Sequence, residues 1–137
     1  MKNVYTICYL SYSNENLNDD DISNLFASSS KKNEVNGITG ILLHEMGKFF
    51  QVLEGEEVEV NRLYDIIKKD KRHRDLYLIF NRTTSFPVFK DYNSKFNIVK
   101  SYEDLSTIKA YLDRNSHDST RDKLSRLLTP FLLMKEL

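Results

Sequence analysis

The sequence predicts an α+β fold: a sheet with the element order βαββαβ, a fifth strand after it, two helices on one face, and two further helices at the C-terminal end. Three observations lead there. Apolar and β-branched runs alternate with stretches of helical spacing in the order strand, helix, strand, strand, helix, strand. A glycine, Gly47, punctuates the only place where two strand-like runs are separated by a few residues, so a hairpin joins the second and third strands. No linker, repeat or low-complexity tract divides the 137 residues, a length that suits one domain with a buried core.

Each element has its own signal. Val4 to Leu10 is apolar, β-branched or aromatic and free of Gly and Pro, which predicts a buried central strand. Asp19, Asp20 and Asp21 favour a helix N-terminus, and Ile22, Leu25, Phe26 and Ser29 follow helical spacing. The inner side of that helix is unusual, because Ala27, Ser28, Ser29 and Ser30 are small and leave room for close sheet contact or for a flat ligand. Ile41 to Leu43 and Phe49 to Leu53 form the hairpin, with His44 to Lys48 turning around Gly47 and Gly55 ending it. Val60, Leu63, Tyr64 and Ile67 recur at i, i+3, i+4, i+7 and predict a second helix. Leu76 to Phe80 is the fourth strand and Phe96 to Val99 the fifth, with Pro87 between them. This order is ferredoxin-like. Tyr102 to Leu112 and Arg121 to Leu137 are helical, broken at Asn115 to Ser119. Leu124, Leu127, Leu128, Phe131, Leu132, Leu133 and Met134 are too many for one narrow stripe. They predict a helix that covers the far sheet face or meets a second copy, with Pro130 kinking or interrupting it.

Composition narrows the function. Twenty basic residues balance twenty acidic ones, against a nucleic-acid or anionic-membrane binder. The single Cys rules out an internal disulfide and a multi-cysteine metal site. No apolar run approaches the roughly 18 residues of a membrane span, and the first residues do not read as a signal peptide, so a cytoplasmic location is expected. The chain has eight Tyr and eight Phe but no Trp.

No nucleophile elbow, zinc-protease motif or phosphate loop is present. His44, His73 and His117 have no ligand spacing, Cys8 reads as a core residue, and Glu54, Glu56, Glu57 and Glu59 read as a solvated helix start. The better clues are polar residues inside apolar runs. Tyr9 lies in the first strand, Gln51 lies in Phe49-Phe50-Gln51-Val52-Leu53, and Asn33 follows the small-residue helix. An amide offers a donor and an acceptor end, and a phenol does either. The trio suits a ligand edge of alternating donors and acceptors, or Tyr9 and Gln51 satisfy each other in the core.

Asn36-Gly37-Ile38-Thr39-Gly40-Ile41-Leu42-Leu43, followed by Gly47-Lys48-Phe49-Phe50-Gln51-Val52-Leu53-Glu54-Gly55, resembles the core signature of BLUF domains, the blue-light sensors that use FAD. Tyr9-Leu10-Ser11 resembles that family's Tyr-x-Ser, and Asp70-Lys71-Arg72-His73 its D-x-R-H. The segments fall in family order across residues 3 to 99. The resemblance implies FAD held without a covalent bond between two helices of a ferredoxin-like sheet. It makes Tyr9 the photoactive tyrosine, Gln51 the switching glutamine, and Asn33 a hydrogen-bonding partner of the flavin ring. His73 and Arg72 match residues near the cofactor. Lys32 replaces the first of two adjacent asparagines that the family often has, and is placed by charge near the FAD phosphates. The implied mechanism is electron and proton transfer from Tyr9, bridged by Gln51, whose amide then rotates or tautomerises.

The pattern departs from the family's at one segment. Tyr92 and Ser94 take the positions of a Trp and a Met that relay the glutamine's state in many members. The resemblance is to short, stand-alone BLUF proteins: residues 1 to 100 form the flavin-binding domain, and 101 to 137 a helical extension of it. Such a chain is not an enzyme and signals through a homo-oligomer or a downstream protein. Two other classes remain: a degenerate BLUF-like module acting as a light-independent interaction or oligomerisation domain, and an acylphosphatase-like hydrolase, for which the required Arg and Asn arrangement is not found.

Overall fold

The computed structural model describes residues 3–93, 95–114 and 118–135. Expectations placed on Ser94, on residues 115–117 (including His117) and on the Met134 side chain lie outside them. The described residues form five strands and four helices: β1 Val4–Ser13, α1 Asp19–Val35, β2 Thr39–Glu45, β3 Lys48–Gly55, α2 Glu57–Lys68, β4 His73–Thr84, β5 Phe96–Val99, α3 Tyr102–Asp113 and α4 Ser119–Lys135. The sheet order is β4-β1-β3-β2-β5, so the two strands with the strongest apolar signal, β1 and β3, lie at its centre. The chain divides into two compact units, Met1–Ile98 and Val99–Leu137.

In the first unit the strands alternate cleanly. Ile7 and Tyr9 of β1, Leu42 of β2, and Phe49 and Leu53 of β3 face the same side and pack with Leu25, Val60 and Tyr64 of α1 and α2. Their opposite-parity neighbours Cys8, Ile41, Leu43, Phe50 and Val52 are also buried. Cys8 is thus a core residue, as its strand setting predicted.

Several boundaries differ from expectation for identifiable reasons. The cap of α1 is Asn18, whose side chain accepts from the Asp21 N–H at 2.8 Å while the Asp21 carboxylate accepts from the Asn18 N–H at 3.0 Å. This capping box recruits one of the three aspartates, and Asp19 and Asp20 sit in the first turn, where they oppose the dipole. The hairpin is tighter than a turn of five residues. Met46 and Gly47 both have positive φ, +54° and +73°, the two-residue loop whose twist matches the strands. Strand β4 runs well beyond Leu76–Phe80. Its pairing with β1 shifts register twice, and Asp75 sits at φ +52°, so bulges at a sheet edge break the strand's two-residue period.

Gly40 is required rather than tolerated: its φ is +138°, and a Cβ there would lie 1.9 Å from the Val52 carbonyl oxygen. In the second unit, α3 is capped by Ser101, which accepts from the Asp104 N–H at 3.1 Å, and buries Leu105, Ile108 and Leu112. Helix α4 continues through Pro130 and is not interrupted there.

The acidic cluster needs the largest correction. Glu57 and Glu59 do start α2, with Glu56 at the N-cap. Glu54 is instead a buried strand residue, 1% exposed. Its side chain points to the face opposite Gln51, where backbone donors meet it.

Candidate functional site

Strand register builds the centre of the site. Tyr9 is paired across β1 and β3 with Gln51, and Gln51 across β3 and β2 with Leu42, so all three side chains stand side by side on the helix face. The Gln51 amide nitrogen donates to the Tyr9 hydroxyl. Both residues are nearly inaccessible, at 3% and 4% exposure.

A cavity of about 390 Å³ opens beside this pair, between α1, α2 and the sheet. Helix α1 contributes Leu25, Ser28, Ser29, Lys32 and Asn33, and α2 contributes Leu63, Ile66 and Ile67. Of the small residues in α1, Ser28 and Ser29 line the space, whereas Ala27 faces out. Asn33 is 2% exposed and lines the cavity. An amide in a cavity wall offers a donor end and an acceptor end to whatever occupies the space.

The segment after α2 closes the other side with Asp70, Arg72 and His73. Asp70 accepts from the Arg72 guanidinium, Nε at 3.0 Å and Nη2 at 2.6 Å, and from the Arg72 backbone N–H at 2.9 Å. That is the physical content of the D-x-R-H spacing: the carboxylate holds both the turn and the guanidinium. The Arg72 hydrogen bond holds the Asp70 carboxyl below its ordinary range, against partial burial. His73 is fixed at both nitrogens. Nε2 is 2.7 Å from the Ile67 carbonyl, which can only accept, so Nε2 carries the proton. Nδ1 is 2.7 Å from the Ser11 hydroxyl, which donates to it in the neutral ring. Ser11 is fully buried two residues from Tyr9 on the same face.

Electrostatics keep the Tyr9 proton in place. Burial pushes the phenol well above its ordinary value, the Gln51 hydrogen bond pulls it back, and the Asp70 charge pushes it up again. The Tyr64 ring lies 6.0 Å from that of Tyr9, and the His73 ring 6.3 Å.

The structure therefore gathers Tyr9, Lys32, Asn33, Gln51, Arg72 and His73 around one cavity, with Lys32 and Arg72 exposed at its rim. Tyr92 is not among the lining residues; it sits in a turn of the β4–β5 connection. Tyr64 is a second tyrosine beside Tyr9. In the sequence, Ser11 and Asp70 stand out only as letters of the Tyr-x-Ser and D-x-R-H motifs. The same-face spacing of Ser11 with Tyr9 was the available signal for one, and the turn-forming Asp-x-Arg for the other.

The family described as sensors of blue light using FAD, BLUF, matches residues 4–95. The photoactivated adenylate cyclase subunit alpha-like protein FB of Euglena gracilis is 28% identical over 132 residues, 96% of this chain and 12% of that protein. The chain thus spans about a tenth of the length of the curated relatives it matches, 12% and 8% for two of them. Among solved structures, BlrP1 BLUF superposes with a TM-score of 0.75 at 28% identity, covering 96% of this chain and 91% of that one. The BlsA photo-activated state superposes with a TM-score of 0.69 at 27% identity, covering 91% and 94%. Among the described residues no helix is long and apolar enough to cross a membrane.

Proposed function

The chain belongs to the BLUF family, sensors of blue light using FAD, and from that premise we propose that Tyr9 and Gln51 form its light switch while Asn33, Lys32, Arg72 and His73 hold the cofactor. The observation that carries this reading is the Gln51-to-Tyr9 hydrogen bond in the wall of a cavity that the Asn33 side chain also lines. The residues present suit FAD. Ser28 and Ser29 leave width for a flat ring, and Asn33 and the Gln51 carbonyl end offer donor and acceptor groups to its edge. Lys32 and Arg72 at the rim suit an anionic diphosphate.

When bound, FAD supplies absorption of blue light and acceptance of one electron. The remaining steps belong to the chain. Loss of an electron alone would leave a buried cation at Tyr9, and charge in that setting is costly. Tyr9 therefore gives up its phenol proton together with the electron; the Gln51 N–H bonded to the phenol oxygen only donates, so the amide can bridge that proton only through its carbonyl end. Tyr9 then regains both, so no net oxidation remains. The lasting change is which end of the Gln51 amide faces the Tyr9 hydroxyl. The two ends have similar shape and opposite hydrogen-bonding character, so rotation changes partners at small steric cost. This is a biased two-state element rather than turnover of a substrate. Output runs by protein contact in the cytoplasm, through a homo-oligomer or a downstream protein.

Light-minus-dark absorption spectra of Tyr9→Phe test the assignment. The variant is expected to keep bound flavin and lose the reversible redshift; a full redshift would overturn the role of Tyr9.

A further inference from the structure

We propose that Glu54 is a positioning residue for the switch: its carboxylate fastens the connection between β4 and β5 to the strand that carries Gln51. The proposal rests on the reading of Gln51 given above. Glu54 lies three residues beyond Gln51 on β3 and is 1% exposed. A buried carboxylate is costly unless donors surround it, and here four do. Thr39, its cross-strand partner on β2, donates its hydroxyl at 2.6 Å. The consecutive backbone N–H groups of Val88, Phe89 and Lys90 supply the rest, with Phe89 at 3.0 Å and Lys90 at 2.8 Å. An ionised carboxylate only accepts, which matches a set made wholly of donors.

The connection then builds on that anchor. Val88 and Phe89 are 2% and 0% exposed, so their N–H groups have no water to fall back on. The Phe89 carbonyl accepts from the N–H groups of both Tyr92 and Asn93, at 3.0 Å each. Farther on, the Asn93 side chain donates to Asn97 at 2.9 Å, and Asn97 donates to the Gly40 carbonyl at 3.1 Å. An unbroken line of covalent and hydrogen bonds thus runs from Gln51 along β3 to Glu54, through Phe89, to the backbone of Tyr92. A displacement of β3 that accompanies rotation of the Gln51 amide is carried to Tyr92 because three adjacent amides move with the carboxylate. Glu54 touches neither the cavity nor Tyr9, so it is separable from the photochemistry.

The test is amide hydrogen exchange by mass spectrometry on the full flavin-bound chain, in the dark and under blue light, beside its absorption spectrum. The native protein is expected to show the redshift together with a light-dependent exchange difference over residues 88–93. Glu54→Gln puts an NH₂ group among the donors while nearly conserving shape. It is expected to keep the redshift, to exchange roughly tenfold or more faster at residues 88–90 in the dark, and to lose the light–dark difference at residues 92 and 93. A folded, redshifting Glu54→Gln with the native difference overturns the proposal. Should that variant not fold, the native protein decides: a redshift without any difference over 88–93 also overturns it, and a redshift with one supports it. Absence of the redshift in the native protein defeats the Gln51 reading itself, a result distinct from either.

Discussion

Replacing Tyr9 by Phe removes one oxygen from a position 3% exposed and leaves the Gln51 amide N–H, at a residue 4% exposed, without its acceptor. An unmet buried donor costs about 1–3 kcal/mol. Gln51→Leu does the converse and strands the phenol hydroxyl, with a similar cost of about 1–3 kcal/mol. Removing both side-chain polar groups leaves an apolar contact between paired residues of β1 and β3, so the double variant is expected to cost less than the two single costs added. The shortfall is about 1 kcal/mol or more if the two groups depend on each other. Backbone pairing at this register is unaffected by any of the three changes, which keeps the cycle local. Urea unfolding of the flavin-bound protein in the dark, read by circular dichroism and by flavin release, gives the four stabilities. The same four samples give light-minus-dark spectra, in which all three variants are expected to lack the native redshift. Strict additivity of the stabilities, or a native redshift in Gln51→Leu, would refute the reasoning.

Two further outcomes follow from the surroundings of the pair. Ser11→Ala takes the hydroxyl from His73 Nδ1, and a loss of about 1–3 kcal/mol is expected; ¹⁵N NMR of the ring should keep the Nε2–H tautomer, held by the Ile67 carbonyl, and show a shifted Nδ1 resonance, and an unchanged Nδ1 resonance would count against the assignment. Burial holds the His44 imidazole below its ordinary value of 6.5, with Glu45 and Asp19 opposing it. The unfolded chain therefore binds the extra proton first as pH falls, so stability drops from about pH 6.5 downward and levels off once the folded form is protonated too. His44→Gln should flatten that part of the stability–pH curve, and a slope equal to the native one would show that other groups carry it.

What the sequence made legible was whatever local pattern determines. Polarity inside apolar runs singles out Tyr9 and Gln51 in the sequence, and strand register makes them neighbours on one face. The i, i+3, i+4, i+7 spacing found α2, and small residues found the roomy side of α1 through Ser28 and Ser29. Edges and long-range partners were hidden. Strand β4 reads as five residues because an edge strand with bulges has no clean period, yet it extends back to His73 and so delivers that ring to the cavity. Glu54 looked like its acidic neighbours, since its donors come from residues 34 to 36 positions away. Tyr64, which the sequence shows only as part of the apolar spacing of α2, comes to lie beside Tyr9 in the fold. Composition names a type of residue, whereas distance in space selects the individual one.

The central claim is that the Tyr9–Gln51 pair works as a reversible light switch on bound FAD. The absorption spectrum of the purified native protein before, during and after blue light tests it most directly. A yellow protein whose flavin bands move to longer wavelength in light and return fully in the dark is the predicted result. A flavin-bound protein whose spectrum is unchanged by light, or that bleaches without recovery, would contradict it.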